Sequence, residues 1–388
     1  MRQERILFAT TCGTGHFNPL LPYARELANR GHKIRVAARI ELADHIEKSG
    51  FEHTVLAGPQ QQALEAVWKR TKGLSTDEAN AIYVSEIFGG IVARAAMPAM
   101  QEAISTWRPA LVVRESVEFS SIVAAQAAGL SHARIEVHNA HSEEKHIPSA
   151  ISGVDKLRKK VGLKPDDGAA FHSEPAFSFF PQSLDGTVSR SGVKTIRVGP
   201  SVSEHGQTSL DATWARRNSD PLIYVTFGTA AVNFDDLKSI YRIAMEAVTD
   251  LPVRVLLTTG KNFDLSLLGK VPPNVTVESW VPQAEVFPQA SALVCHGGSG
   301  TMLGGLAAGL PMVITPLFAD QPSNAEQVAR IGAGIAVPSP DPITLRAAIE
   351  RILSDESYRE NARRIARELE NTPKIETAVD ELLRPIAT

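Results

Sequence analysis

At 388 residues the chain is long enough for two domains, and its 43% hydrophobic and 21% charged content excludes a disordered or fibrous protein. Its 40 Lys and Arg against 43 Asp and Glu leave a net charge of −3, which gives no electrostatic case for nucleic acid or an anionic membrane as main partner. Two cysteines, Cys12 and Cys295, cannot build a disulfide framework, no segment is apolar enough to span a bilayer, and the run 6–9 is too short for a signal-peptide core, so the expectation is a soluble, cytoplasmic protein with reduced thiols.

Short apolar runs alternate with helical patterns over the first 140 residues. ILFAT (6–10) predicts a buried strand, followed by Gly-rich GTGH and the helical LLPYARELANRG. KIRVAA (33–38), FEHTVL (51–56), ALVV (110–113) and ARIEV (133–137) predict four more strands, with an Ala-rich helix from Ser120. This rhythm means βαβ units and a parallel sheet covered on both faces. Residues 60–107 form the longest helical stretch. Residues 138–175 read as loops around a short basic helix, DKLRKK, with a solvated face.

The pattern restarts after residue 200. Strands are expected at 222–227, 253–259, 275–279, 292–295 and 311–315, helices at 234–248 and 321–332, and two closing helical patterns. Residues 181–220 carry no clear long element, and the linker is placed at 197–220. The resulting expectation is an α/β protein of two doubly wound, Rossmann-like parallel-sheet domains facing across one cleft. The boundaries are 1–205 for the first domain, 206–370 for the second, and 371–388 for a C-terminal helix packing back on the first. Ligands of such sheets sit beyond the C-terminal ends of the strands.

Chemistry-bearing residues gather at those strand ends. Gly13-Thr-Gly-His16 follows the first strand, and the third glycine of a dinucleotide fingerprint is missing. His16 is either a general base exposed at the functional edge or a polar helix-start residue. Glu115 and Glu118, after the fourth strand, can orient such an imidazole or cap the next helix. His296-Gly-Gly298-Ser299-Gly300-Thr301 lies between a strand and a helix, where small residues expose N–H groups and the helix dipole favours a phosphate. Trp280 can offer a stacking face, or sit in the core; Asp320 and Gln321 can bind sugar hydroxyls, or Asp320 can cap the next helix; and Thr229 can be a further phosphate contact. Metal signals are poor: there is no Asp-x-Asp, and His138, His141 and His146 stand in one loop without a second ligand cluster.

Together these residues resemble the inverting nucleotide-sugar glycosyltransferases of the two-Rossmann-domain (GT-B) type, the family of plant natural-product and actinobacterial antibiotic enzymes. The likeness is most specific over WVPQ, HGGSGT and PLFADQ (280–321). It implies a hexosyltransferase that needs neither metal nor cofactor. His16 would be the base, and Glu115 would stand where the family usually has an aspartate, with Glu118 as the other candidate. Donor binding would fall to Thr229, Trp280, Val281, His296, Gly298, Ser299, Gly300, Thr301, Asp320 and Gln321. Gly304 stands where plant enzymes place a ribose-binding glutamate, which favours a TDP-sugar over a UDP-sugar. The acceptor would be a hydrophobic hydroxylated aglycone, walled by Trp68, Phe88, Glu118, Phe119 and His138. A homodimer is left open. The rival readings are a nucleotide-sugar 2-epimerase and a non-catalytic nucleotide-sugar-binding auxiliary protein.

Overall fold

A computed structural model describes residues 2–11, 13–186, 194–199, 220–228, 239–260 and 263–386. Thr229 and Cys12 lie outside the described residues. By their contacts the residues form two units. The first comprises Met1–Phe180, Thr187–Gly199 and Pro373–Thr388, and the second Pro181–Gly186 and Pro200–Thr372.

The first unit holds β1 (Arg5–Ala9), β2 (Lys33–Arg39), β3 (Glu52–Leu56), β4 (Leu111–Glu115), β5 (Ser131–Glu136), β6 (Ala176–Ser178) and β7 (Thr195–Arg197). The second holds β8 (Leu222–Thr226), β9 (Arg254–Thr258), β10 (Val275–Glu278), β11 (Ala292–Cys295), β12 (Met312–Ile314) and β13 (Gly334–Ala336). All pairings are parallel, in the orders β3-β2-β1-β4-β5-β6-β7 and β10-β9-β8-β11-β12-β13. Both central strand pairs are buried on both faces, which is why they read as unbroken apolar runs.

Strand order reverses between β1 and β4 in one sheet and between β8 and β11 in the other. Loops diverge at such a point and leave a crevice beyond the strand ends. The register sets Ala9 beside Arg114 and Cys295 beside Thr226. The loops that follow therefore bring residues 10–16 to Glu115, and Phe227-Gly228 to His296.

Several expectations need correction. Residues 140–160 form one 21-residue helix, Ala140–Lys160, and not loops around a short one. Asn139 starts it by accepting the N–H of Ser142 at 3.0 Å, and DKLRKK is its last turns, where cations meet the negative end of the dipole. Within that run Leu157 and Arg158 are buried, so only part of it is a solvated face. His141 and His146 lie on this helix and His138 just before it. The chain closes with three helices, not two: Pro342–Ser354, Glu356–Glu370 and Ile375–Leu383. The last joins the core of the first unit through Ala378, Val379 and Leu382, beside Tyr23 and Leu27. The strands β6, β7 and β13 were not anticipated. Each has three residues, too few to show a periodicity.

Within 60–107 the helix Gln61–Thr71 is followed by the helix Thr76–Ile82, which continues as a π-helix, Tyr83–Val92, and then as Ala93–Trp107. The π-helix packs on Ala140–Lys160 at almost backbone contact. A Cβ at Gly153 would lie 2.6 Å from the Gly89 carbonyl oxygen, so only glycine fits.

Candidate functional site

In the first unit, Gly13 at φ 99° turns the chain sharply after β1 and opens the short helix Thr14–Phe17, which carries His16. Its Nδ1 lies 3.3 Å from Oε2 of Glu115. That is longer than the 2.7–2.9 Å of a charge-assisted bond, and His16 Nδ1 makes no hydrogen bond at this separation. Glu115 is wholly buried at the end of β4. Thr11 donates to its Oε1 through Oγ1 at 2.7 Å and through its N–H at 3.2 Å, and Val117 N–H donates to Oε2 at 2.8 Å. Burial alone would raise its pKa. The facing His16 and these donors outweigh burial and hold it down at about 2. A fixed anion thus faces a partly exposed imidazole.

Glu118 has a different job. Its Oε1 accepts the N–H and hydroxyl of Ser120, and its Oε2 the N–H of Ser121 at 2.9 Å. It satisfies the start of the helix Ser120–Ala127 and is buried, so it does not wall an acceptor pocket. Phe119 is likewise not a wall. Its ring lies in the core, 5.7 Å from Phe171 and 5.7 Å from the Arg114 guanidinium. Phe88 is half-buried with its ring 6.3 Å from that of His16, and Trp68 is exposed on Gln61–Thr71. His138 lies edge-on to His16 at 5.9 Å, with Nδ1 3.2 Å from Oε1 of Glu143.

Behind this edge lies an ionic cluster that sequence reasoning missed. Arg114 and Arg134 are almost completely buried. Arg114 grips Glu174 with two bonds, Nε–Oε1 at 3.0 Å and Nη2–Oε2 at 2.6 Å, while His132 Nδ1 lies 3.0 Å from the same carboxylate. Burial would push Glu174 upward, but Arg114 and His132 hold it down at about 2. The other amino group of Arg114, Nη1, donates to the carbonyls of Glu115 at 3.0 Å and Ser116 at 2.8 Å. It fixes the backbone that presents Glu115. Nothing in a linear pattern pairs residue 114 with residue 174.

The second unit builds a site of another kind. The helix Ser299–Ala307 starts after Gly298, and its first internal bond is Met302 N–H to Gly298 O at 3.0 Å. The N–H groups of Ser299, Gly300 and Thr301 stand ahead of the ladder at the positive end of the dipole. The His296 ring lies between two glycines. A Cβ at Gly228 would fall 2.7 Å from its Nε2, and one at Gly298 2.4 Å from the same atom. Gly228 also has φ 75°. Burial pushes the pKa of His296 down to about 4, only partly offset by Asp320, so the ring is neutral at pH 7.

Ser299 Oγ donates to Asp320 Oδ2 at 2.9 Å. Buried Asn324 donates to the same oxygen at 2.8 Å and to Gly297 O at 2.9 Å, welding the loops after β11 and β12. Sequence reasoning missed Asn324; its signal was the i, i+4 spacing from Asp320 on a helical pattern. Gln321 is buried, and its Oε1 accepts the N–H of Leu317 and Phe318, so it shapes the loop rather than projecting from it. Thr301 exchanges bonds with Gln283 at 3.2 and 3.4 Å. Trp280 is exposed and Val281 is buried. Gly300 has open space where a Cβ would stand. Gly304 does not: Phe287 Cε2 lies 2.6 Å from that point, so its missing side chain has a packing cause.

Among the described residues no group of three or more His, Cys, Asp or Glu is arranged to hold a metal, and no helix is long and apolar enough to cross a membrane.

Residues 242–384 match the family described as erythromycin biosynthesis protein CIII-like, C-terminal domain. Aclacinomycin-T 2-deoxy-L-fucose transferase of Streptomyces galilaeus is 28% identical over 420 residues, spanning 95% of this chain and 93% of the relative. CalG4, the calicheamicin glycosyltransferase, is 27% identical with a TM-score of 0.79 over 100% of both chains. The glycosyltransferase VinC, solved in complex with dTDP, shares the fold at a TM-score of 0.77 and 20% identity, over 98% of this chain and 99% of that one. Two parallel-sheet α/β units with these relatives define the class: the chain is a glycosyltransferase of GT-B architecture. Within that class it is similar, over nearly its whole length, to the antibiotic glycosyltransferases of actinobacteria.

Proposed function

We propose that this enzyme transfers a deoxysugar, with inversion and without a metal, from a TDP-sugar to a hydroxyl of a hydrophobic natural-product aglycone. The first unit takes the acceptor and the second the donor. The observation that carries the reading is the His16–Glu115 pair: a part-exposed imidazole at the strand ends with a buried, fixed carboxylate 3.3 Å from its Nδ1.

Glu115 keeps the ring proton on Nδ1, which leaves Nε2 to accept the proton of the acceptor hydroxyl. The acceptor oxygen then bonds to the anomeric carbon as the carbon–oxygen bond to the diphosphate breaks on the opposite face. The proton ends on His16, and the electron pair leaves on the nucleoside diphosphate. Imidazolium beside Glu115 is an attractive pair, so the anion stabilises the charge as it forms. In the donor unit, the N–H groups of Ser299, Gly300 and Thr301 and the neutral His296 meet the charge growing on the leaving diphosphate. They do so without reorganising, since Asn324 and Asp320 hold their loops. Trp280, exposed after β10, offers a face for the base. The deoxysugar is suggested by the name of the Streptomyces galilaeus relative, and the TDP by the dTDP bound to VinC; Gly304 does not bear on the nucleotide, since Phe287 occupies the space of its side chain.

The direct test is His16→Ala. Turnover should fall by about 10²-fold or more with little change in donor affinity. Turnover close to wild type, with chemistry rate-limiting, would remove His16 as base. The nucleotide is tested separately by calorimetry: TDP should bind at least as tightly as UDP. A clear UDP preference would mean that another residue satisfies the ribose 2′-hydroxyl.

A further inference from the structure

The helix start assigned above to the diphosphate holds a carboxylate against itself. Asp320 belongs to the loop after β12, yet its Oδ2 accepts the hydroxyl of Ser299, the first residue of Ser299–Ala307, at 2.9 Å. Asp320 also faces the His296 ring closely enough to oppose the fall of its pKa. An anion beside a site that collects the negative charge of a leaving diphosphate works against that site, since like charges repel. The carboxylate therefore calls for a partner other than phosphate.

The bonds around Asp320 are one-sided. Asn324, buried on the helix Gln321–Arg330, donates through Nδ2 to Asp320 Oδ2 at 2.8 Å, and the same nitrogen lies 3.4 Å from Ser299 Oγ. Its further bond to Gly297 O, at 2.9 Å, fixes the amide from a third side. Both donors thus meet Oδ2. Among the described residues nothing donates to Oδ1, and Asp320 is half-buried rather than closed off.

A serine hydroxyl has one proton, and a carboxylate has none to give. The Ser299 proton is therefore committed to Asp320. A phosphate oxygen, which also only accepts, would have to take it from there. What Ser299 offers a diphosphate is its backbone N–H.

We propose that Ser299 is a positioning residue: its hydroxyl, with Asn324, clamps Asp320 Oδ2 so that Oδ1 is presented to a hydroxyl of the donor sugar. A carboxylate oxygen needs a donor. The sugar must then keep an O–H or N–H on the carbon facing Asp320, and the deoxygenated positions of a deoxysugar lie elsewhere on the ring. This rests on the donor reading of the second unit given above.

Calorimetric titration of TDP and of TDP-glucose into the full chain separates the two jobs of Ser299, because only the second ligand carries sugar hydroxyls. Ser299→Ala should weaken TDP-glucose about fivefold more than TDP, the worth of one hydrogen bond. Ser299→Thr keeps the hydroxyl and should restore the wild-type ratio of the two affinities. In an Asp320→Ala background the difference should vanish, because a group that acts through Asp320 has nothing left to hold. Ser299→Cys, a weak donor of similar size, serves if Ser299→Ala fails to fold. Equal loss with both ligands would assign the hydroxyl to the diphosphate, and no loss with either would make it a contact of the fold alone. Both results overturn the role of Ser299 and leave the donor site standing. Wild type that binds TDP but not TDP-glucose overturns it as well, since the site then rejects a sugar rich in hydroxyls. Binding of neither ligand overturns the TDP-donor reading of the second unit and this inference with it.

Discussion

The two sheets share a topology and place a histidine at the same point, where strand order reverses, yet they treat it in opposite ways. His16 is part-exposed and faces a buried carboxylate held by Thr11 and Val117. His296 is closed in by the backbones of Gly228 and Gly298, and burial pushes its pKa down to about 4. The first arrangement suits a ring that must gain a proton, because an anion waits for the cation. The second suits a ring that must stay neutral and donate, because its surroundings penalise the cation. The lesson is that a strand-end histidine has no fixed role; its supporting residues assign one.

The support differs as well. Behind Glu115 lies the Arg114–Glu174 pair, both groups out of solvent, with Arg114 also holding two loop carbonyls. The sharpest break of the comparison is therefore Arg114→Met. It strands the Glu174 carboxylate and should cost about 3–5 kcal/mol of stability, read as a lower midpoint in urea with an unchanged slope. A loss below 1 kcal/mol would mean that the cluster relaxes or takes in water, and that Glu115 is held by Thr11 and Val117 alone.

A smaller effect is expected in the second unit, where support comes from neutral groups. His296→Ala should raise KM for the donor and also lower kcat, the latter by about 2–4 kcal/mol in barrier, as for a lost oxyanion donor. Initial rates against donor concentration separate the two terms. The same reaction run in excess EDTA should proceed. Loss of activity restored by Mg²⁺ would show that a metal, not the helix start, meets the diphosphate charge.

The mildest difference is in acid. His296 has a folded pKa of about 4 against an ordinary 6.5, so between these values the unfolded chain binds more protons than the folded one. Its contribution is complete above pH 6.5 and declines as pH falls towards 4. Glu115, at about 2 against an ordinary 4.5, follows the same sign in a lower window, with loss from pH 4.5 towards 2. Thermal melts across pH 4–7 should therefore show a decline that His296→Asn flattens while Glu115→Gln leaves it in place. A decline unaffected by His296→Asn would assign that window to other groups.

The strands flanking each reversal point were legible in the sequence because parallel strands buried on both faces need unbroken apolar runs, and a one-dimensional pattern carries that requirement. The chemistry at their ends was legible for the same reason: GTGH after β1 and HGGSGT after β11 follow such runs directly. Residues 138–175 were misread because the helix Ala140–Lys160 carries Pro148, Gly153 and many polar residues; its stability comes from packing on the π-helix, which no local propensity reveals. Phe119 suits a pocket wall by its aromatic character alone, but its ring packs on Phe171 inside the core.

The sequence by itself determined two parallel-sheet units and the strand-end position of His16 and His296, since periodicity and short motifs are properties of neighbouring residues, and its motifs carried the resemblance that implies the class of enzyme. Only the tertiary structure decided which glutamate faces His16, that Gly228 and Gly298 exist to admit an imidazole, and that Phe287 fills the space at Gly304. It alone paired Arg114 with Glu174 and His138 with Glu143 beside His16. The physical reason is that these are contacts of buried polar groups and excluded volume between segments distant in the chain. Their energy depends on distances that close only when strands 100 residues apart lie side by side.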